Sequence, residues 1–358
     1  MHTPHVPRAT DPVLVPVARV RAWGEAVFAA LGCAADEATR IVAGLVDANR
    51  YGHDSHGIGL ATQYADHVRD GHAVPGRTPR IVTDAGALVA LDGDLGFGQS
   101  LGAAAMDIAI ERARRFGSAV VGLANTHHLG RIGRWGERCA QAGLVSVHFV
   151  NVRSHPWVAP QGGTDARVST NPFCVAVPHA PHPLVLDYAT SAVALGKTRV
   201  AVDECRTMAP GLLLDADGAP TIDPSVMWRE PCGAILPFAE HKGWALAVMC
   251  ELLGGALTGG GVQDGRAVHP MLNNMLTLAF DPARLGTGGT LDAEIARLAA
   301  WVRASPPVAT GGGILLPGEP ERRTAAVRDR DGIPLPRRTL DQLAACALAL
   351  GVHVPIEG

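Results

Sequence analysis

Between about residue 81 and residue 280 the chain carries a succession of short runs rich in Val, Ile and Leu, each bounded by Gly, Pro or Asp. The runs fall at 87–91, 119–123, 144–150, 173–177 and 184–186, with another at 276–280. Aliphatic and β-branched residues in stretches this short, closed by turn formers, predict strands. Helical patterns lie between some of them, at 100–115 and 130–142, and a longer one at 242–257 precedes a glycine-rich loop at 258–265. The two ends of the chain read differently. Apolar residues recur at helical spacing over 18–31 and 36–50, closed by Gly32 and Gly52, and a third helix is expected over 57–70, closed by Gly71. At the C-terminus Thr339 is placed to cap a helix over 340–350, closed by Gly351. The first dozen residues read as an arm without regular structure. The pattern predicts an α/β (α+β) chain: a helical domain over 12–80, completed by 285–358, and a strand-rich domain over 81–284.

Composition narrows the function. A hydrophobic content of 47% and a charged content of 18% suit a packed globular protein. The formal net charge of −3 leaves no electrostatic footprint for nucleic acid or an anionic membrane. The N-terminal residues lack the basic start and apolar run of a signal peptide. The longest apolar stretch, 243–257, is interrupted by Glu251 and three glycines and is too short to cross a bilayer. Seven cysteines, scattered and without a C-x-x-C pair, predict reduced thiols and a cytoplasmic protein.

Several familiar motifs fail. No G-x-G-x-x-G links a strand to a helix, since GDLGFG at 93–98 has the wrong spacing, so a Rossmann dinucleotide site is not expected. LGKT at 195–198 resembles the end of a phosphate-binding loop, but the place of its first glycine is taken by Ser191. Among fifteen histidines, His53 and His56 are three apart and His127 and His128 adjacent, with no H-E-x-x-H; a metal site is weakly signalled.

Two glycine-lined bends offer histidine, whose pKa lies near working pH: HDSHG at 53–57 and NTHHLGRIG at 125–133. Taken singly these histidines could only cap turns. Taken with DSHG (54–57), HHLGRIG (127–133), VAPQGG (158–163), STNPF (169–173), LDYATS (186–191), GKTRVA (196–201), EHKGWALAVMCELLGGALTGG (240–260) and LLPGEPE (315–321), the chain resembles the malate/L-lactate dehydrogenase family of the non-Rossmann type. That family also includes sulfolactate, ureidoglycolate and diketogulonate oxidoreductases. HFVNV (148–152), STNPFCVA and the 240–260 run look most like its bacterial hydroxycarboxylate dehydrogenase branch, which reduces 2-oxoglutarate and aryl pyruvates such as phenylpyruvate and hydroxyphenylpyruvate.

The resemblance implies a non-Rossmann, sulfolactate dehydrogenase-like fold with a mostly antiparallel central sheet, a homodimer, a small 2-hydroxy or 2-oxo acid as substrate, and NAD as cofactor. NADP stays open, although no arginine pair follows Asp187 to take a 2′-phosphate. It implies His56 as proton donor beside the nicotinamide and His128 as its competitor. Gly130, Arg131, Ile132, Val185, Leu186, Asp187, Tyr188, Ala189, His241, Asn273, Gly318, Glu319, Pro320 and Glu321 match cofactor-contacting positions, and Tyr64 and Arg131 would face the substrate. Asp187 could instead cap a turn, Lys242 bind a cofactor phosphate or start a helix, and Glu251 serve structure. One position departs from the pattern: Leu60 stands where many relatives place an arginine thought to grip the substrate carboxylate. Arg131 and Arg153 are the candidate replacements. The alternatives are a cyclic-imine (ketimine) reductase, a histidine-based metallohydrolase, and a protein that binds cofactor without turnover.

Overall fold

The computed structural model describes residues 12–266, 270–308 and 313–357, so the N-terminal arm lies almost wholly outside the described residues. A short strand, β1 (Val13–Val15), leads into helices α1 (Val17–Ala30) and α2 (Ala35–Arg50). Helix α2 buries one stripe, Ile41, Val42, Leu45 and Val46, and carries Asp36 and Glu37 in its first turn, where the helix dipole favours negative charge. The expected third helix begins late. Residues 54–60 form two single 3₁₀ turns, and regular helix, α3, runs only over Ala61–Arg69. The cause is Gly57, which is extended (φ −88°, ψ −166°) and breaks the helical hydrogen-bond series.

The middle of the chain is β2 (Arg80–Ala85), β3 (Leu88–Asp92), α4 (Gly98–Phe116), β4 (Ser118–His127), α5 (Gly133–Gln141), β5 (Val145–Arg153), β6 (Pro172–Val177) and β7 (Leu184–Ala189). Then come α6 (Leu195–Asp203), β8 (Leu213–Leu214), β9 (Pro220–Thr221), β10 (Ala234–Ile235) and α7 (His241–Met249). Strand β11 (Leu272–Phe280), helices α8 (Leu291–Arg303) and α9 (Glu319–Asp331), β12 (Ile333–Leu335) and α10 (Arg337–Ala349) complete it. Seven strands make one sheet in the order β2-β3-β4-β11-β5-β6-β7, parallel only at β3–β4, which α4 connects. This is a mixed α/β fold with a mostly antiparallel central sheet and no Rossmann unit. Strand β11 enters between β4 and β5, so Leu272 pairs with both His127 and Arg153.

Two details differ from the sequence pattern. Thr339 lies inside α10, which starts after Pro336, because the fixed φ of proline already suits a helix entrance. The helix expected over 242–257 changes winding at Cys250 and continues as a π-helix to Ala256. There Gly254 lies against β5 so closely that a Cβ would come within 2.8 Å of Asn151 N and Phe149 O. Glu251, on the same turn, is buried and accepts from Asn151 Nδ2 (2.7 Å), Asn171 Nδ2 (2.7 Å) and the Gln263 backbone amide (2.9 Å).

Two large apolar clusters result. One joins α1–α3 to Ile333, Leu335, Leu340, Leu343 and Ala347, so both chain ends share a core, and β1 pairs with β12 across it. The other lies between the sheet and α4 and α5, around Val121, Leu123, Trp135, Val150 and Met275. Phe97, at the start of α4, inserts into the helical cluster against Phe28 and Tyr64, and the histidines lie along this seam.

Candidate active site

The bend that presents His56 is held from three sides. Asn49 Oδ1 accepts the Ile58 amide hydrogen (2.7 Å), and Asn49 Nδ2 donates to Asp54 Oδ1 (2.6 Å). Arg328, from the far end of the chain, pairs with both carboxylate oxygens of Asp54 (2.6 and 2.8 Å). Gly57 leaves room for Asn49, since a Cβ there would sit 2.3 Å from its amide. Gly196, in the segment that resembled a phosphate loop, instead packs its backbone on Ser55, where a Cβ would meet Ser55 Cβ at 2.4 Å.

Behind His56 stands a hydrogen-bonded row. Its Nδ1 lies 3.2 Å from His128 Nε2, His128 Nδ1 lies 2.6 Å from the Tyr64 hydroxyl, and Gln99 Nε2 donates to that hydroxyl (2.9 Å). Adjacent His127 turns the other way, its Nε2 2.8 Å from His67 Nδ1. The glycines at 93–98 serve this arrangement. Gly98 lets α4 start directly against the carbonyls of His127 and His128, where a Cβ would come within 2.5 Å, and so brings Gln99 beneath Tyr64.

Burial sets the electrostatics of the row. It pushes His56 down to about 4, with His53 and Arg131 adding to the effect and Asp187 opposing it. Burial, His56 and His67 hold His128 well below the usual histidine range, and burial raises the Tyr64 phenol. All three are therefore neutral near pH 7.

A polar wall adjoins His56. Gly130 takes the left-handed region (φ 76°) and turns the chain into buried Arg131 and Ile132. The Arg131 guanidinium lies 4.3 Å over the Tyr51 ring and pairs with Glu137 at 2.5 Å. Asp187 accepts from the Gly133 amide (2.7 Å) at the N-terminus of α5, so it caps a helix distant in sequence instead of its own next turn. Burial raises Asp187, and Arg131 draws it back. Val185 N donates to Pro317 O (3.3 Å), which brings β7 beside Gly318 (φ 87°) and the entrance to α9 formed by Glu319 and Pro320. Glu319 accepts from Leu316 N (2.8 Å) and pairs with Arg303. Glu321 Oε1 lies 4.0 Å from His53 Nε2, and its Oε2 is buried with no partner among the described residues, as is Arg131 Nε.

The structure thus gathers His56, His128, Tyr64, Arg131, Ile132, Asp187, Val185 and the 318–321 turn. Tyr188 and Ala189 lie at the other end of β7, where Tyr188 packs on Phe238 (5.2 Å) near exposed His241 at the start of α7. Leu186 points outward, 38% exposed. Buried Asn273 accepts from Leu129 N (2.9 Å) and so shapes the 127–133 bend from β11. Leu60 packs against the helical core. Arg153 donates to Gly260 O (2.8 Å) and keeps a buried Nε without a partner among the described residues. Asn49, Gln99 and Arg328 were not singled out by the sequence: Gln99 and Arg328 act through contacts 35 and 274 positions away, and Asn49 reaches Asp54 and Ile58 only because the chain bends back at Gly57. Among the described residues no group of three His, Cys, Asp or Glu side chains is placed to share a metal ion.

The residues fit a dinucleotide. Asp187 and the unpartnered Glu321 oxygen are acceptors suited to ribose hydroxyls, and the unpartnered Arg131 nitrogen is a donor.

Comparison with known proteins places this architecture in a class. The family model described as malate/L-lactate dehydrogenase matches residues 15–344. Hydroxycarboxylate dehydrogenase B of Escherichia coli is 46% identical over 333 residues, 92% of each chain. A solved structure from E. coli, described provisionally as a malate/lactate dehydrogenase, superposes with a TM-score of 0.92 at 43% identity, covering 95% of this chain and 96% of that one. A Δ1-pyrroline-2-carboxylate/Δ1-piperideine-2-carboxylate reductase of Pseudomonas putida is 36% identical over 71% of this chain and 74% of its own length. The chain belongs to the malate/L-lactate dehydrogenase family and is an oxidoreductase.

Proposed function

We propose that the protein transfers hydride reversibly between NAD(H) and C2 of a 2-hydroxy/2-oxo acid, with His56 as the proton donor. The observation that carries this is the position of His56: half-buried at a bend, its Nδ1 engaged by His128 and its Nε2 the remaining nitrogen for a reacting oxygen. When bound, the reduced nicotinamide supplies the hydride. His56 then gives its proton to the oxygen that was the carbonyl, and regains one from solvent on its open side. Asp187 and Glu321 would hold ribose hydroxyls, and two carboxylates there would repel the extra phosphate of NADP, so NAD is the preferred form. Gly130, Arg131, Ile132, Val185 to Ala189, His241, Asn273 and Gly318 to Glu321 would line the cofactor. Tyr64 and Arg131 back the substrate side. The absence of an arginine at Leu60 supports a bulkier, partly apolar oxo acid of the aryl-pyruvate kind.

The same reading makes the protein a cytoplasmic homodimer. Seven free thiols suit a reducing compartment, and no helix among the described residues is long and apolar enough to cross a membrane. The α7–π segment exposes Met249 (43%), Leu252 (46%) and Leu257 (65%), an apolar face suited to a second copy.

The second reading, reduction of a cyclic imine acid, is favoured by likeness to the Pseudomonas reductase. Both are tested by following NADH oxidation with 2-oxoglutarate, phenylpyruvate, hydroxyphenylpyruvate, pyruvate, oxaloacetate and a cyclic imine acid, with and without chelator. Turnover of an oxo acid that survives the chelator is expected. Turnover of the imine alone would replace the substrate class, and failure to bind NADH would remove the proposal.

A further inference from the structure

The row behind His56 constrains where hydrogens can sit. Gln99 is buried, its Nε2 donates to Tyr64 Oη (2.9 Å), and its Oε1 is buried with no partner among the described residues. With that amide orientation the single phenol hydrogen lies on the 2.6 Å contact to His128 Nδ1. Neutral His128 then carries its hydrogen on Nε2 and donates to His56 Nδ1, which leaves His56 neutral with its hydrogen on Nε2. An imidazolium at His56 is incompatible with this chain, because two N–H groups would face each other across 3.2 Å.

Rotating the Gln99 amide by 180° reverses every bond. Its Oε1 accepts from the Tyr64 hydroxyl, Tyr64 Oη accepts from His128 Nδ1–H, and His128 Nε2 accepts from His56 Nδ1–H. His56 can now carry a second hydrogen on Nε2 with every neighbour satisfied. The rotation gives Oε1 the phenol hydrogen and moves Nε2 to the place Oε1 held, so the two amide orientations exchange which end of Gln99 is engaged. Reduction of the carbonyl forms a C–H bond with the hydride, breaks the His56 Nε2–H bond and forms the O–H bond. It leaves neutral His56 with its hydrogen on Nδ1, still donating to His128. Oxidation runs the same chain backwards.

We infer that Gln99 is a positioning residue whose amide, acting through Tyr64 and His128, decides whether His56 can hold the proton that reduction consumes. The inference rests on His56 as proton donor. The other groups that bear on His56 are His53, Asp187 and Arg131, and on His128, His67; His127 lies against Tyr64. None of them is altered by changing Gln99.

The test is the pH profile of kcat and kcat/KM for oxo-acid reduction in wild type, Gln99→Glu and Gln99→Met. A carboxylate only accepts, so Gln99→Glu should fix the imidazolium-compatible chain and move the pH at which reduction declines upward by about one unit, a roughly tenfold gain above the wild-type midpoint. Gln99→Met can neither donate nor accept. It should lower kcat more than KM and leave no such upward shift. Should Gln99→Glu fail to fold, ¹⁵N spectra of the histidines in wild type and Gln99→Met give the second readout, with altered tautomer-sensitive shifts expected at His56 and His128. Unmoved pH midpoints with equal losses in both variants, or identical histidine spectra, would reduce Gln99 to packing. Those results combined with an inactive His56→Ala would sink only this inference, whereas an active His56→Ala would remove the proton-donor reading beneath it.

Discussion

His148 lies in the middle of β5, with Nδ1 3.0 Å from Thr277 Oγ1 and Nε2 3.0 Å from Ser146 Oγ, and burial drives its pKa down to about 3. His56 lies at a bend between helices, and burial drives it down to about 4. The leading cause is the same, so desolvation alone does not make a proton donor. What differs is the second nitrogen. Both nitrogens of His148 meet hydroxyls of the sheet itself, and the ring is fully buried. His56, half-buried, engages His128 with one nitrogen, and the other is the one proposed for the reacting oxygen. The sheet histidine is held by packing, and the bend histidine is the one proposed for transfer.

The sharpest way to break this comparison is to delete each ring. His56→Ala should lower turnover by about 10²–10⁴-fold, the range for a lost general acid, and steady-state rates with NADH would show it. His148→Gln should leave turnover within a few-fold of wild type while lowering the melting temperature; an equal loss of turnover would erase the distinction. Next in size is Glu251→Leu. It strips the acceptor from Asn151, Asn171 and the Gln263 amide, and denaturant unfolding should show a loss of about 3 kcal/mol, as for a broken buried polar network. Gly57→Ala forces a methyl against the Asn49 amide that anchors the 54–58 bend. It should cost about 2 kcal/mol and lower kcat as His56 shifts; unchanged stability and kcat would mean that the bend has room.

The last effect is on acid stability. The folded pKa values of His148 and His56, about 3 and about 4, lie below the ordinary histidine value of 6.5. Between those limits the unfolded chain binds more protons than the folded one, so stability is full above about pH 6.5 and falls as the pH drops toward 4. Each histidine contributes a slope of at most about 1.4 kcal/mol per pH unit. Melting curves at pH 7, 5.5 and 4.5 should show the decline, and His148→Gln should flatten it. A flat wild-type profile would mean that both rings titrate normally.

Local pattern carried much of the architecture. Helices α1, α2, α4 and α5 and strands β3 to β7 and β11 lie close to their apolar runs, because each buries one periodic face. Strand β2 escaped, since every residue in it is exposed and no alternation marks it. The π-helical turn escaped as well: Gly254 in it lies close against β5, and no spacing in 242–257 encodes that neighbour. At the site, the histidine-bearing bends were legible as motifs. Their supports were not.

What the sequence by itself determined was the set of chemical groups and the local turns that expose them: DSHG, HHLGRIG, and the failure of every Rossmann glycine pattern. Such features depend on backbone conformations within a few residues of one another. Tertiary structure decided which groups act together. Strand β11, arriving from beyond residue 270, sets the end of β4 in place. Arg328 fixes Asp54 across 274 positions, and Gln99 reaches Tyr64 across 35. Hydrogen bonds between such distant residues form only once two apolar clusters have packed and drawn the segments into contact. The hydrogen-bonded row behind His56 is therefore a property of that packing.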